Sequence, residues 1–175
     1  MMKLSTRSAG AISLILAACL QQSPVMAQQL SWHDGNTRHP LWIDPDLIAD
    51  FSGPGSASDQ VLRPATQAVT KSVGSSPVFR DAPDAQAPAR ALPGGVIVRV
   101  SPSLDPALRQ AVFTRHGLNE VRELGTASGI WLIATSPGLP ALELANRLHE
   151  SGDFISASPN WWRPRAPKSR AAPRR

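Results

Sequence analysis

Residues Gly95 to Trp162 read GGVIVRVSPSLDPALRQAVFTRHGLNEVRELGTASGIWLIATSPGLPALELANRLHESGDFISASPNWW, and this stretch decides the fold. It is the only part of the chain with sustained hydrophobic periodicity, and it divides into six elements. In the first, Val96, Val98 and Val100 share one face of a strand, and Ile97 and Arg99 share the other. Asp105 then reads as an N-cap with Pro106 at the first helical position. Leu108, Ala111, Val112 and Arg115 follow at helical spacing, and Gly117 ends the helix. Leu118 to Leu124 is a weaker strand, Gly125 to Gly129 a turn, and Ile130 to Thr135 the strongest strand of the chain. A second helix opens at Pro140, aligns Leu142, Ala145 and Leu148 on one face, and stops at Gly152. Phe154 to Ser158 is the last strand, closed by Pro159 and Asn160.

The order β-α-β-β-α-β predicts an α+β fold, a ferredoxin-like βαββαβ sandwich with a four-stranded antiparallel sheet. Right-handed crossovers place both helices on one face of that sheet and leave the other bare. With the valines of the first strand turned toward the helices, Ile97 and Arg99 point outward. One of the two parities open to the third strand puts Trp131 and Ile133 on the same outer face, and that is the expectation. An exposed apolar sheet face of this kind marks a partner surface.

The order of elements, the VIVRV opening, the GIWLIATS third strand, the leucine-bearing second helix and the ending DFISASPN together resemble a known module. They are similar to the inhibitor-type propeptide of subtilisin-like serine proteases. The resemblance covers about 70 of the 175 residues. It departs from the family in one respect: the Asp, His and Ser motifs of the protease domain, which normally follow such a propeptide, are not found in the sequence. The expectation is a propeptide made as a separate protein.

Several binding residues follow from the resemblance. The bare sheet face, with Ile97, Arg99, Trp131 and Ile133, would pack on surface helices of a folding or folded subtilisin-like protease. The segment Ala157, Ser158, Pro159, Asn160, Trp161, Trp162 and Arg163 would run extended into the substrate cleft and pair its backbone with the cleft edges. Trp161 and Trp162 would anchor it, because large aromatic side chains dominate interface energies; the alternative is that they fold back onto the sheet edge. Inhibition and external folding assistance would then be one binding event. A domain of about 70 residues without cross-links draws roughly 3–5 kcal/mol from its core, so binding adds directly to its stability.

Upstream, residues 1–27 have the pattern of an export signal: basic Lys3 and Arg7, then an apolar run from Ala11 to Leu20 that is too short to span a bilayer. Val25-Met26-Ala27 suits ordinary cleavage before Gln28. Leu16-Ala17-Ala18-Cys19 resembles a bacterial lipobox, in which Cys19 would be acylated. Export predicts a periplasmic or secreted protein, or an outer-membrane lipoprotein if Cys19 is lipidated, which is the only membrane attachment expected. Cys19 is the sole cysteine, so neither a disulfide nor a cysteine-based metal site is expected, and no cofactor is called for.

Residues 28–51 form a short ordered patch. Asp44-Pro45 predicts a brief helix with Leu47, Ile48 and Phe51 on its apolar side, and Trp32 and Trp42 bracket a turn. His33, Asp34 and His39 fit no recognised metal-ligand spacing. Residues 52–93, rich in Pro, Gly, Ser and Ala without periodicity, predict a disordered linker. The propeptide-like domain occupies 94–162, and 163–175 is a basic tail expected to be disordered. Without Lys3 and Arg7 the chain keeps 16 basic residues against 13 acidic. Six of the basic residues lie in the tail, which has no acidic ones, so the high pI belongs to the tail.

Two other function classes are open to the sequence. An enzyme needs convergent nucleophile or acid–base groups. His116 and His149 sit near helix C-termini, where they complement the dipole, and Ser128, Ser136 and Ser156 have no evident base, so no enzymatic activity is expected. A polyanion-binding protein would act through the basic tail. Export and the missing aromatic signature of RNA-binding sheets argue against a nucleic-acid partner.

Overall fold

The computed structural model describes residues 30–53, 61–65, 73–119, 121–125 and 129–164. The export signal with Cys19, residues 1–27, and the tail from 165 onward lie outside them. Eleven elements follow in chain order: β1 (Leu30–Asp34), β2 (Thr37–Asp50), β3 (Leu62–Pro64), β4 (Ser75–Arg80), β5 (Ala89–Ala91), β6 (Val96–Arg99), α1 (Pro106–Arg115), β7 (Val121–Glu123), β8 (Ile130–Ile133), α2 (Leu139–Ser151) and β9 (Ser156–Pro159). The fold is α+β, with antiparallel sheets and two helices among the described residues.

The C-terminal half holds a four-stranded sheet in the order β7-β8-β6-β9, antiparallel at every junction. Both helices cover the same face of it. Val96, Val98, Ile133 and Ala157 bury their side chains with Phe113 of α1 and Leu144, Ala145 and Leu148 of α2. α1 starts where expected: the Asp105 carboxylate accepts hydrogen bonds from the Ala107 and Leu108 amides at 2.8 and 3.3 Å. Its buried face is not the expected one. Leu108 is 59 % exposed, and Phe113 is the side chain of α1 that reaches the core. The stripe that meets the sheet is Arg109, Val112, Phe113 and His116, with Arg109 stacked over the Trp131 ring at 5.0 Å. A stripe with a polar side chain at each end, Arg109 and His116, is poorly marked by hydrophobicity, so the sequence pattern points to the neighbouring residues instead.

The N-terminal half overturns two expectations. Asp44-Pro45 opens no helix; residues 37–50 are one long strand, broken by a bulge between Ile43 and Ile48. The Asp44 carboxylate accepts the Asp46 amide at 2.9 Å, a local turn that Asp and Pro favour as readily as a helix cap. Within 52–93, where composition suggested a disordered linker, the described residues build β3, β4 and β5. The first half of β2 pairs β1 in a hairpin, and its second half pairs β3 and β4, while β4 pairs β5. Two sheets thus share β2 and join into a path β1-β2-β4-β5, with β3 beside β2. The composition misled because this path buries both faces. Phe79 and Leu92 enter one core with Trp32 and Leu41, whereas their neighbours Val78 and Ala91 enter another with Ala49 and Val61. Adjacent apolar pairs show no period-2 alternation, and the signal vanishes among prolines.

α2 joins the two halves. Leu144, Ala145 and Leu148 face the four-stranded sheet, while Ala141 and Leu142 pack on Phe79, Leu92 and Trp32. The Asn146 amide donates to the Ser31 carbonyl at 2.8 Å, and His149 stacks on His33 at 4.2 Å. The helix begins at Gly138, whose φ is +81° and whose missing Cβ would lie 3.1 Å from Pro77 Cδ. A side chain there would suffer both backbone strain and collision with β4, so glycine lets α2 approach the N-terminal half.

Candidate functional site

Among the described residues no helix covers one face of the four-stranded sheet, and pairing register identifies its residues. Directly opposed residues of antiparallel strands share a face. Val96 stands opposite Ile133, and Val98 opposite Trp131, so all four point to the helices. Ile97 stands opposite Leu132 and Ser158, Arg99 opposite Ile130 and Ser156, and Arg122 opposite Leu132. These residues form the outer face: a half-buried apolar centre of Ile97, Ile130 and Leu132, with exposed Arg99 and Arg122 at its margins. A shallow depression of about 300 Å³ lies beside Leu132, lined by Val121, Arg122 and Ala134. None of the outer-face residues belongs to a buried core cluster.

Of the expected face residues, Ile97 and Arg99 point outward as the alternation of β6 required. Trp131 and Ile133 do not. Ile133 is buried among the core valines, and Trp131 meets Phe113 edge-on at 5.5 Å. Their places are taken by Ile130 and Leu132, with Arg122 beyond, none of which the sequence reading picked. β8 is apolar at all four positions, so alternation sets no parity. The bulkiest ring of the strand lying inward was the one usable cue.

The segment after α2 also departs from expectation. The expected last strand is present as β9, shifted to Ser156–Pro159 and hydrogen-bonded to β6 with Ala157 and Pro159 buried and Ser158 outward, so it is the free arm from Ala157 that is absent. Asn160 continues the run, its backbone amide donating to the Gly95 carbonyl and its side chain to the Gly94 carbonyl, both at 3.1 Å. Trp162 then pairs with Ala91 of β5 through two backbone hydrogen bonds of 2.9 and 3.0 Å. One extended run therefore spans both halves of the molecule.

The two tryptophans fold back rather than protrude. Trp161 meets Trp32 and Phe79 edge-on at 5.5 and 5.8 Å, and Trp162 meets Phe51 at 6.0 Å. Arg90, buried and ion-paired with Asp81, lies 5.2 Å from the Trp32 ring centroid and 5.1 Å from that of Trp161. The physical reason is the two-sided core of the N-terminal half, which offers Trp161 one apolar cluster and Trp162 the other. Arg163 is the first exposed residue of the run.

The histidines are committed to packing contacts. His39 stacks on Trp32 at 5.1 Å, and His116 accepts or donates a 2.7 Å hydrogen bond with Asp153. That bond, with the Arg115 charge beside it, holds the Asp153 carboxyl below its ordinary value against the opposing effect of desolvation. No protein-family model matches the chain, and no curated protein or solved structure matches it either.

Proposed function

We propose that the chain is an exported inhibitor and/or external folding chaperone of a subtilisin-like serine protease, docking through the outer face of the β7-β8-β6-β9 sheet. The observation that carries this reading is the half-buried apolar centre of Ile97, Ile130 and Leu132, which no helix covers among the described residues, in a sheet whose opposite face carries both helices. We read the C-terminal half as a ferredoxin-like unit, on its strand order and on both helices lying against one face. An apolar sheet face flanked by arginines suits a partner surface that is itself apolar with acidic margins. Since the chain is engaged in sheet pairing as far as Trp162, the part that enters a substrate cleft starts at Arg163. A tail rich in arginine suits a cleft with acidic walls.

The experiment is titration of the protein from residue 28 onward against an active subtilisin-like protease, following residual activity. Near-stoichiometric loss of activity supports the reading. A chain ending at Pro164 separates the two contacts: it should still bind through the sheet face but no longer block the cleft. Absence of inhibition, with rapid degradation of the protein, would remove the protease from the account. Polyanion binding that disappears with residues 165–175 would replace it with the tail-based alternative.

A further inference from the structure

On the N-terminal half, a groove of about 340 Å³ opens between the β2 bulge and the loop joining β4 to β5. Trp42, Ile43 and Pro83 line it, and Asp44, Asp46 and Asp84 stand around it. Ile43 is 46 % exposed there. Asp44 is occupied by Arg80, whose guanidinium lies 2.6 Å away. Asp46 and Asp84 are exposed, and among the described residues no cation pairs with their carboxylates. The groove thus joins an indole and a proline ring to two exposed carboxylates, of which Asp84 also accepts the Gln86 amide at 2.8 Å.

The sequence holds a segment of complementary chemistry. Residues 163–175, RPRAPKSRAAPRR, carry six cations, three prolines and no acid. Proline-rich segments favour the extended polyproline helix and dock in aromatic-lined grooves at low entropic cost, with arginines meeting acids at the rim. The described chain delivers this segment nearby. Trp162 lies opposite Ala91, Ala91 opposite Val78, and Val78 faces the bulge that holds Asp44 and Asp46. Three strand spacings amount to about 14 Å. Eleven residues at about 3.1 Å each reach roughly 34 Å, more than twice the span.

We infer that residues 165–175 seat in this groove of their own chain, prolines against Trp42 and Pro83 and cations beside Asp46 and Asp84. The contact is intramolecular and salt-sensitive, because both carboxylates are open to solvent. Seating there and entry into a partner's cleft exclude one another, so the groove acts as a resting place for the tail. The inference stands on the groove and the tail alone and does not depend on a protease partner.

Paramagnetic NMR tests it in the protein from residue 28 onward, which has no native cysteine. A nitroxide on Ser169→Cys should strip most of the amide signal from Trp42, Ile43 and Asp84. The signal should return at high salt and in the variant Asp46→Asn/Asp84→Asn, which loses both charges while the amide oxygen at 84 can still accept the Gln86 amide. Broadening spread evenly, or centred on Ile97 and Leu132, overturns the inference. So does broadening that the double variant leaves unchanged. Mixing unlabelled and nitroxide-bearing chains distinguishes a last outcome: broadening that passes between molecules puts the tail on a second copy and contradicts the intramolecular contact.

Discussion

Replacing Trp161 by alanine tests whether the end of the described chain belongs to the core or to a partner. In the structure its ring touches Trp32 and Phe79 edge-on and stacks with the buried Arg90, all within 6 Å. Tryptophan-to-alanine changes in cores cost about 3–5 kcal/mol. Trp161 is only half-buried, which favours the lower end, but each aromatic pair adds about 0.5–1.5 kcal/mol and the cation contact a similar amount. The expected loss is therefore about 3–4 kcal/mol. For a chain of this length that is a fall of roughly 6–16 °C in Tm. It is also a large share of a total stability of about 7–15 kcal/mol, so the N-terminal half should open first. Urea denaturation followed by circular dichroism gives the first number, and amide exchange in β4 and β5 gives the second. A loss below about 1 kcal/mol, with β4 and β5 exchange unchanged, refutes the fold-back. If such a variant also failed to inhibit a protease, the tryptophan would be a partner anchor after all.

Three further changes probe the frame that presents the sheet face. Asp105→Ala removes the cap that receives the Ala107 and Leu108 amides and should cost about 1 kcal/mol in urea denaturation. Gly138→Ala forces a side chain into positive φ against Pro77 and should cost about 1–3 kcal/mol, with loosening of the α2 start visible by amide exchange. Asp153 has its folded pKa depressed, chiefly by the His116 hydrogen bond. Its contribution is therefore present above the ordinary aspartate value of about 4 and is lost as pH falls through the folded value. Asp153→Asn should make the acid limb of the stability profile shallower, the rest of the slope staying with groups such as Asp50, whose carboxyl the Ser52 hydrogen bonds also hold below its ordinary value; an unchanged limb contradicts the assignment.

The C-terminal half was legible because its signals are local. The Asp105-Pro106 cap, the leucine-bearing face of α2 and the Gly152 stop are each set by residues within one or two turns, and each appears where the sequence placed it. The parity of β8 was not legible, since Ile130 to Ile133 are apolar on both faces and only pairing with β6 decides which residues face the helices. The strands of 73–93 were hidden for another reason. Val78, Phe79, Ala91 and Leu92 gain their burial from Trp32, Ala49, Trp161 and Trp162, partners dozens of residues away. Composition cannot register such pairing, and a proline-rich stretch with few apolar residues reads as unable to fold. The same long-range closure explains the site. Trp161 and Trp162 look like an exposed aromatic pair in sequence, and become core once β5 lies beside them.

The central claim is that the outer face of the four-stranded sheet binds a subtilisin-like protease. It is tested most directly by the substitution Leu132→Lys, placed at the middle of that face and outside the buried clusters. The account predicts stability within about 1 kcal/mol of the parent, with inhibition of the protease weakened by about 100-fold or more, as for a central interface residue. A folded Leu132→Lys protein that inhibits as tightly as the parent would contradict it.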